Sequence, residues 1–129
     1  MKTALLDTSF LIDLDDEAES GVVGPATRTL ATLREYRLFI SPVTVAELLE
    51  GAEMPEEAAK ELATYQKQTI GWQAAQRCAL NQSRAPRRMG ENDAWQAALA
   101  ALSGHRLVGH DVAFEGRPGL DYLDHRKYV

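Results

Sequence analysis

At 129 residues, with 45% hydrophobic and 26% charged residues, the chain has the composition of one ordinary globular domain with a well-filled core. Its net charge of −5 argues against a broad nucleic-acid-binding surface, although a carboxylate cluster that holds cations inverts its own local field. No apolar run approaches the ~20 residues of a membrane span. No signal-peptide core follows Met1, and a lone cysteine, Cys78, allows no internal disulfide; a cytoplasmic protein with no membrane contact is expected.

The chain opens on Ala4-Leu5-Leu6, too short for a helix and read as a buried strand that stops at Asp7. Asp7, Thr8 and Ser9 offer helix-capping side chains, and Phe10, Leu11 and Ile12 resume an apolar helical pattern. Asp7 therefore stands at a strand-to-helix junction, the sheet edge at which α/β proteins bind ligands. The acidic run from Asp13 to Glu19 is read as solvated surface without a chemical role. After a turn over Gly21–Pro25, an amphipathic helix is expected over Thr27–Tyr36 and a second strand at Leu38–Ile40.

Ser41-Pro42 is a helix start, Ser as the cap and Pro at the first helical position, and this helix ends at Gly51. Inside it Glu47 interrupts an apolar run, so its carboxylate must escape at the helix edge or find a partner. Pro55 opens another helix expected to pass Leu62 and Tyr65 toward Ile70, and Trp72–Gln82 a further one, in which Cys78 serves as a small buried hydrophobe. Arg84, Arg87 and Arg88 fall in a basic loop. Asn92 is read as the cap of a buried, Ala-rich helix from Asp93 to Ser103, closed by Gly104. Leu107-Val108 reads as a strand, and Asp111 repeats the layout of Asp7. Leu120–Leu123 is expected to add a last strand. His105, His110 and His125 lack metal-ligand spacing and are assigned surface or structural roles.

Alternating strands and helices imply a mostly parallel sheet with helices on both faces, from whose one edge Asp7 and Asp111 project. Glu47 and Asp93, near helix starts, can reach the same edge. Four carboxylates in one pocket must take up protons unless cations neutralise them. All-oxygen ligands select Mg²⁺ or Mn²⁺, which activate water for displacement at phosphate.

Four segments carry a resemblance: ALLDTSFLIDL, SPVTVAELLEG, MGENDAWQAALAALSGHRLVGHDVAF and PGLDYLD. In order and spacing the chain resembles the PIN-domain ribonucleases, in particular the VapC toxins of toxin–antitoxin pairs, over nearly its whole length. The resemblance implies a single PIN domain over residues 1–129, a three-layer α/β/α sandwich and a Mg²⁺-dependent endoribonuclease that leaves a 3′-hydroxyl and a 5′-phosphate. It maps the family's acidic metal-binding quartet onto Asp7, Glu47, Asp93 and Asp111, and its small polar residue after the first Asp onto Ser9, with Thr8 as second choice. It further implies an RNA substrate cut in single-stranded or loop regions, a VapB-like antitoxin and a homodimer. Arg84, Arg87 and Arg88 become candidate phosphate contacts. Leu and Tyr residues on the helices from Thr27 to Tyr36 or from Pro55 to Tyr65 could supply a partner surface, or serve as core. The resemblance departs from many relatives at Gly109-His110, where they carry a basic or hydroxyl residue, and at Trp95-Gln96, where they are aliphatic; neither departure is expected to touch the quartet.

Two other enzyme classes place an acid after the first strand. Haloacid-dehalogenase-like phosphatases need a second Asp where this chain has Ser9, and phosphate-receiver domains need paired acids and a late Lys. The alternative from another class is a catalytically silent PIN domain that acts as a binding module.

Overall fold

The computed structural model describes residues 1–127. Five strands form one sheet in the order β3-β2-β1-β4-β5, every neighbouring pair parallel. The strands are β1 (Thr3–Leu6), β2 (Arg37–Ile40), β3 (Gln66–Lys67), β4 (Arg106–Gly109) and β5 (Tyr122–Asp124). Six α-helices connect and cover them: α1 (Thr8–Ser20), α2 (Pro25–Thr32), α3 (Pro42–Gly51), α4 (Pro55–Leu62), α5 (Trp72–Arg84) and α6 (Glu91–Ser103), with a 3₁₀ turn at Val112–Phe114.

β1 is central and buried on both faces, which is why Ala4-Leu5-Leu6 reads as a continuous apolar run instead of an alternation. Leu5 and Leu107, paired in register, face α5 and α6 and pack with Ala98, Leu99 and Phe114. Leu6 and Val108, the next register pair, face α1 to α4 and pack with Phe10, Leu11, Ala26 and Ile40. The result is the expected three-layer α/β/α sandwich. Each fully buried Leu or Phe in these layers contributes about 1.5–3 kcal/mol of hydrophobic stabilisation.

Four local expectations are corrected. The helix opened by Pro55 ends at Leu62, and Gln66–Lys67 forms β3 against β2. The open edge of β2 requires hydrogen-bond partners, and the Gln68 N–H donates to the Ile40 carbonyl at 2.8 Å. α2 begins at Pro25 and stops at Thr32, short of Tyr36. The last strand lies at Tyr122–Asp124, shifted from Leu120–Leu123. The acidic run is the second half of α1, and two of its carboxylates are structural. Glu17 accepts three backbone N–H groups, from Gly24, Ala26 and Thr27 at 2.8–2.9 Å, and so caps α2, whose own N-cap residue Gly24 has no side chain to do so. Asp13 binds Arg126 through both oxygens and the buried His125 at 2.7 Å.

Candidate active site

Three adjacent strands, β2, β1 and β4, end at the same edge of the sheet, and the polar residues that follow them meet there. Asp7 continues the β1–β4 ladder with its own N–H, 2.8 Å from the Val108 carbonyl, and its side chain then caps α1. It is only 6% exposed. Its Oδ2 accepts from the Ser9 hydroxyl at 2.7 Å and the Ser9 N–H at 3.3 Å; its Oδ1 accepts from Gln96 Nε2 at 3.1 Å. The Ser9 hydroxyl in turn accepts the His110 N–H at 2.9 Å, which ties the end of β1 to the turn after β4. Ser9 is thus the residue after the first Asp that serves it directly.

Thr8 serves Glu47 instead, donating its hydroxyl to Oε1 at 2.7 Å. The bond is the last of a buried chain with one consistent proton direction. Ser41, N-cap of α3, donates to the Gln96 amide oxygen; the Gln96 amide nitrogen donates to Asp7 and, at 2.9 Å, to Thr44 Oγ1. Thr44 Oγ1, 3.2 Å from Thr8 Oγ1, has its own proton left to donate there. Ser41, Thr44 and Gln96 are all buried, so each bond replaces one that water would otherwise supply. Glu47 lies one turn beyond Thr44, and Asp93 one turn before Gln96, so each carboxylate shares a helix face with a buried anchor.

Asp93 sits in the first turn of α6, half-buried. Its carboxyl is pushed up to about 6 by burial first, then by the negative charges of Asp111, Asp7 and Glu47. The four acids are therefore close enough to repel across one site. Asn92 is not the cap: Gly90 holds that place, without a side-chain bond to the helix. Asp111 caps the 3₁₀ turn through its bond from the Ala113 N–H at 2.9 Å. The Tyr122 hydroxyl clamps the same turn: it accepts the Asp111 N–H at 3.0 Å and lies 3.2 Å from the Asp111 carbonyl. Burial pushes that phenol up to about 12, so it stays neutral. Gly109 lies so near that a Cβ there would meet Asp7 Cβ at 2.8 Å and Ser9 Oγ at 3.1 Å. The absent side chain leaves the room in which Asp7 and Ser9 stand.

Among the described residues no three His, Cys, Asp or Glu side chains close into a ligand cage. The donor set nevertheless fits a hard divalent cation. All four side chains offer oxygen, and the repulsion centred on Asp93 has no cationic partner among its causes. His105 and His125 are buried and structural, the first bonded to Thr3 and Gln68. His110 is bonded through Nδ1 to Asp124 at 2.9 Å. Of the three arginines, Arg84 ends α5 and borders a cavity with Arg117, Arg88 borders another beside Trp95 and Cys78, and Arg87 is exposed between α5 and α6. Sequence reasoning missed Gln96 and Tyr122. Of these only Gln96, a polar residue in an otherwise apolar stretch, left a signal.

The PIN-domain profile matches residues 4–119, nine-tenths of the chain, and the chain belongs to the PIN-domain family. Its fold is similar to that of a toxin–antitoxin complex chain from Klebsiella pneumoniae, at 24% identity and TM-score 0.79, over 95% of this chain and 98% of that one. It is similar to a chain of DNA-bound VapBC from Salmonella typhimurium, at 20% identity and TM-score 0.76, over 97% and 99%. A third likeness is to VapBC-1 from nontypeable Haemophilus influenzae, at 24% identity and TM-score 0.73, again over 97% and 99%. No curated protein sequence matches the chain significantly. Among the described residues no helix is long and apolar enough to cross a membrane.

Proposed function

We propose that the chain is a metal-dependent endoribonuclease of the VapC type, the toxin of a toxin–antitoxin pair. The observation that carries this reading is the meeting of Asp7, Glu47, Asp93 and Asp111 at one sheet edge, where burial first, and then the charges of the other three, raise the carboxyl of Asp93. Proteins keep such a strained set of charges where a cation or a reaction uses it. Membership in the PIN family and a fold shared with VapBC complexes support the same conclusion.

In this proposal the four carboxylates hold Mg²⁺, or Mn²⁺ in its place, which when bound supplies activated water and neutralises charge at the phosphodiester. Asp7 is the fixed ligand. Three hydrogen bonds leave about one of its four lone-pair directions free, so its orientation toward a cation is set before the cation arrives. Ser9 holds Asp7 Oδ2 and ties it to the turn that carries Asp111. Thr8 fixes Glu47, whose side chain is otherwise exposed. An unpaired RNA strand suits the site because its backbone can bend toward a recessed cluster. A VapB-like antitoxin and a homodimer complete the reading. The Leu and Tyr residues looked to for a partner surface pack with the core: Leu33 is buried, and Leu30, Tyr36, Leu62 and Tyr65 pack against it, the last two also bordering a cleft beside Glu47.

The test is cleavage of a panel of tRNA and mRNA fragments by the purified protein in Mg²⁺ and in EDTA, beside Asp7→Asn and Asp93→Asn. Metal-dependent cutting that both variants lose is the expected result. A folded, antitoxin-free wild type that cuts nothing and binds no Mg²⁺ would overturn the proposal in favour of a binding module.

A further inference from the structure

One cleft borders the acidic site and a second cavity lies farther along α6, and the two carry opposite charge. The cleft on the Glu47 side, between α1, α3 and α4, encloses about 520 Å³ and is bordered by Asp15, Asp16, Glu47 and Glu61, with no Lys or Arg. Between the end of α5, α6 and the segment after Asp111 lies the second cavity, of about 270 Å³, bordered by Arg84 and Arg117 and by no carboxylate. Its floor is apolar: Met89, Ala97, Ala101 and Leu120. Ala97 and Ala101 follow Asp93 at successive i+4 steps on α6, so the cavity runs about 6–12 Å along the helix from that carboxylate. Arg117 is fixed by its Nε, which donates to the Ala113 carbonyl at 2.8 Å, on the same short turn that Asp111 caps. Among the described residues neither arginine has an ion-pair partner, in a chain where acidic residues outnumber basic ones 19 to 14.

We infer that this cavity is a nucleotide subsite: it takes an unpaired base of the RNA strand flanking the phosphodiester at the acidic cluster. The base lies on the apolar floor, and the two guanidiniums hold the phosphates on either side of it or stack on its face. This inference rests on the nuclease reading for its ligand, and it gives the strand a direction. RNA leaves the carboxylates toward α5 and α6, because the acidic cleft would place phosphates against four acids. Charge complementarity selects a polyanion, and a cavity closed by one turn and two helix faces has room for a single unpaired base, not for a duplex.

The experiment uses labelled single-stranded RNA oligonucleotides, with an abasic position moved stepwise along the strand. Binding is measured in EDTA by fluorescence anisotropy across a salt series, and cleavage in Mg²⁺ with separate kcat and KM. Wild type is compared with Arg84→Ala, Arg117→Ala, the double variant and Arg117→Lys, all checked for unchanged melting. The inference expects about tenfold weaker binding for each alanine, a salt slope smaller by about 0.7 per arginine, and loss in KM more than in kcat. Arg117→Lys should recover the salt slope but not the base preference. One abasic position should weaken wild type and leave the double variant unaffected. Unchanged binding and no abasic position of special effect would overturn the subsite, whether or not RNA is cut. If the arginine and abasic effects appear while nothing is cut, the subsite stands and the nuclease reading alone fails.

Discussion

Gln96 Nε2 donates to Asp7 Oδ1 at 3.1 Å, across 89 residues of sequence, and this bond sets the distance between the first strand and the helix that carries Asp93. Replacing the amide by an aliphatic side chain strands Ser41, Thr44 and one oxygen of Asp7 together. Gln96→Leu should cost about 2–4 kcal/mol in urea unfolding. Gln96→Glu keeps the shape but sets a second carboxylate against Asp7, so it should be most damaging at neutral pH and partly recover on acidification. A Gln96→Leu protein as stable as wild type would mean that the network forms no part of what holds the site.

Asp93 makes the metal-free protein less stable as pH rises. Its folded carboxyl titrates at about 6 against an ordinary 3.8, so the stabilisation from its bound proton is complete below about 3.8 and is lost as pH climbs through about 6. Melting temperature in EDTA should therefore fall between these values, and Asp93→Asn should flatten that segment and raise stability at pH 7 by on the order of 1 kcal/mol. Added Mg²⁺ should raise the wild-type melting temperature at pH 7 and have little effect on the variant.

Gly109→Ala forces a methyl group to 2.8 Å from Asp7 Cβ. Since both atoms lie on or beside strand backbone, the turn after β4 must move, and a cost of about 1–3 kcal/mol is expected with loss of cleavage. Ser9→Ala leaves Asp7 and the His110 N–H each short of one bond. It should lower cleavage more than stability, the latter by about 1 kcal/mol. Comparing unfolding with turnover in the two variants separates displacement of the site from loss of a single bond.

Asp13 anchors the C-terminal segment to α1. The hydrogen bond from Arg126, with that from His125, holds its carboxyl below the usual 3.8 against the opposing effect of burial. A depressed carboxyl contributes stability that is present above about 3.8 and lost as pH falls through its lower folded value. Asp13→Ala removes this acid-side dependence and strips the fully buried His125 of its hydrogen-bond partner, at about 1–3 kcal/mol by thermal or urea unfolding. Among the described residues Nδ1 of that ring has no hydrogen-bond partner.

The places of Asp7 and Asp111 were legible in the sequence because each follows an apolar strand directly and precedes a helical turn, which in a parallel sheet sets both at the same edge, as caps of those turns and as site carboxylates alike. The carboxylates Asp13 and Glu17 were not, since a run of acids on a helix looks the same whether its members are solvated or bonded to distant partners. β3 escaped because Gln66 and Lys67 are both exposed and carry no apolar alternation; only the unsatisfied edge of β2 demands a strand there. Gln96 stands in an Ala-rich helix whose composition predicts burial, yet nothing local tells that its amide meets Asp7, Thr44 and Ser41. Tyr122 clamps the Asp111 turn through atoms brought together only by the pairing of β4 with β5.

The strand order has a consequence for the time at which the acidic cluster can assemble. β1 lies between β2 and β4, so half of its hydrogen-bonding edge stays open until β4 has been synthesised. Asp7 emerges first and waits for Gln96, about 4–18 s of translation at typical rates. A nascent or truncated chain that ends before α6 contains Asp7 and Glu47 but neither Asp93, Asp111 nor the amide that orients Asp7. The four carboxylates therefore come together only once α6 and the turn after β4 have left the ribosome, and a chain that stops before α6 cannot assemble the cluster.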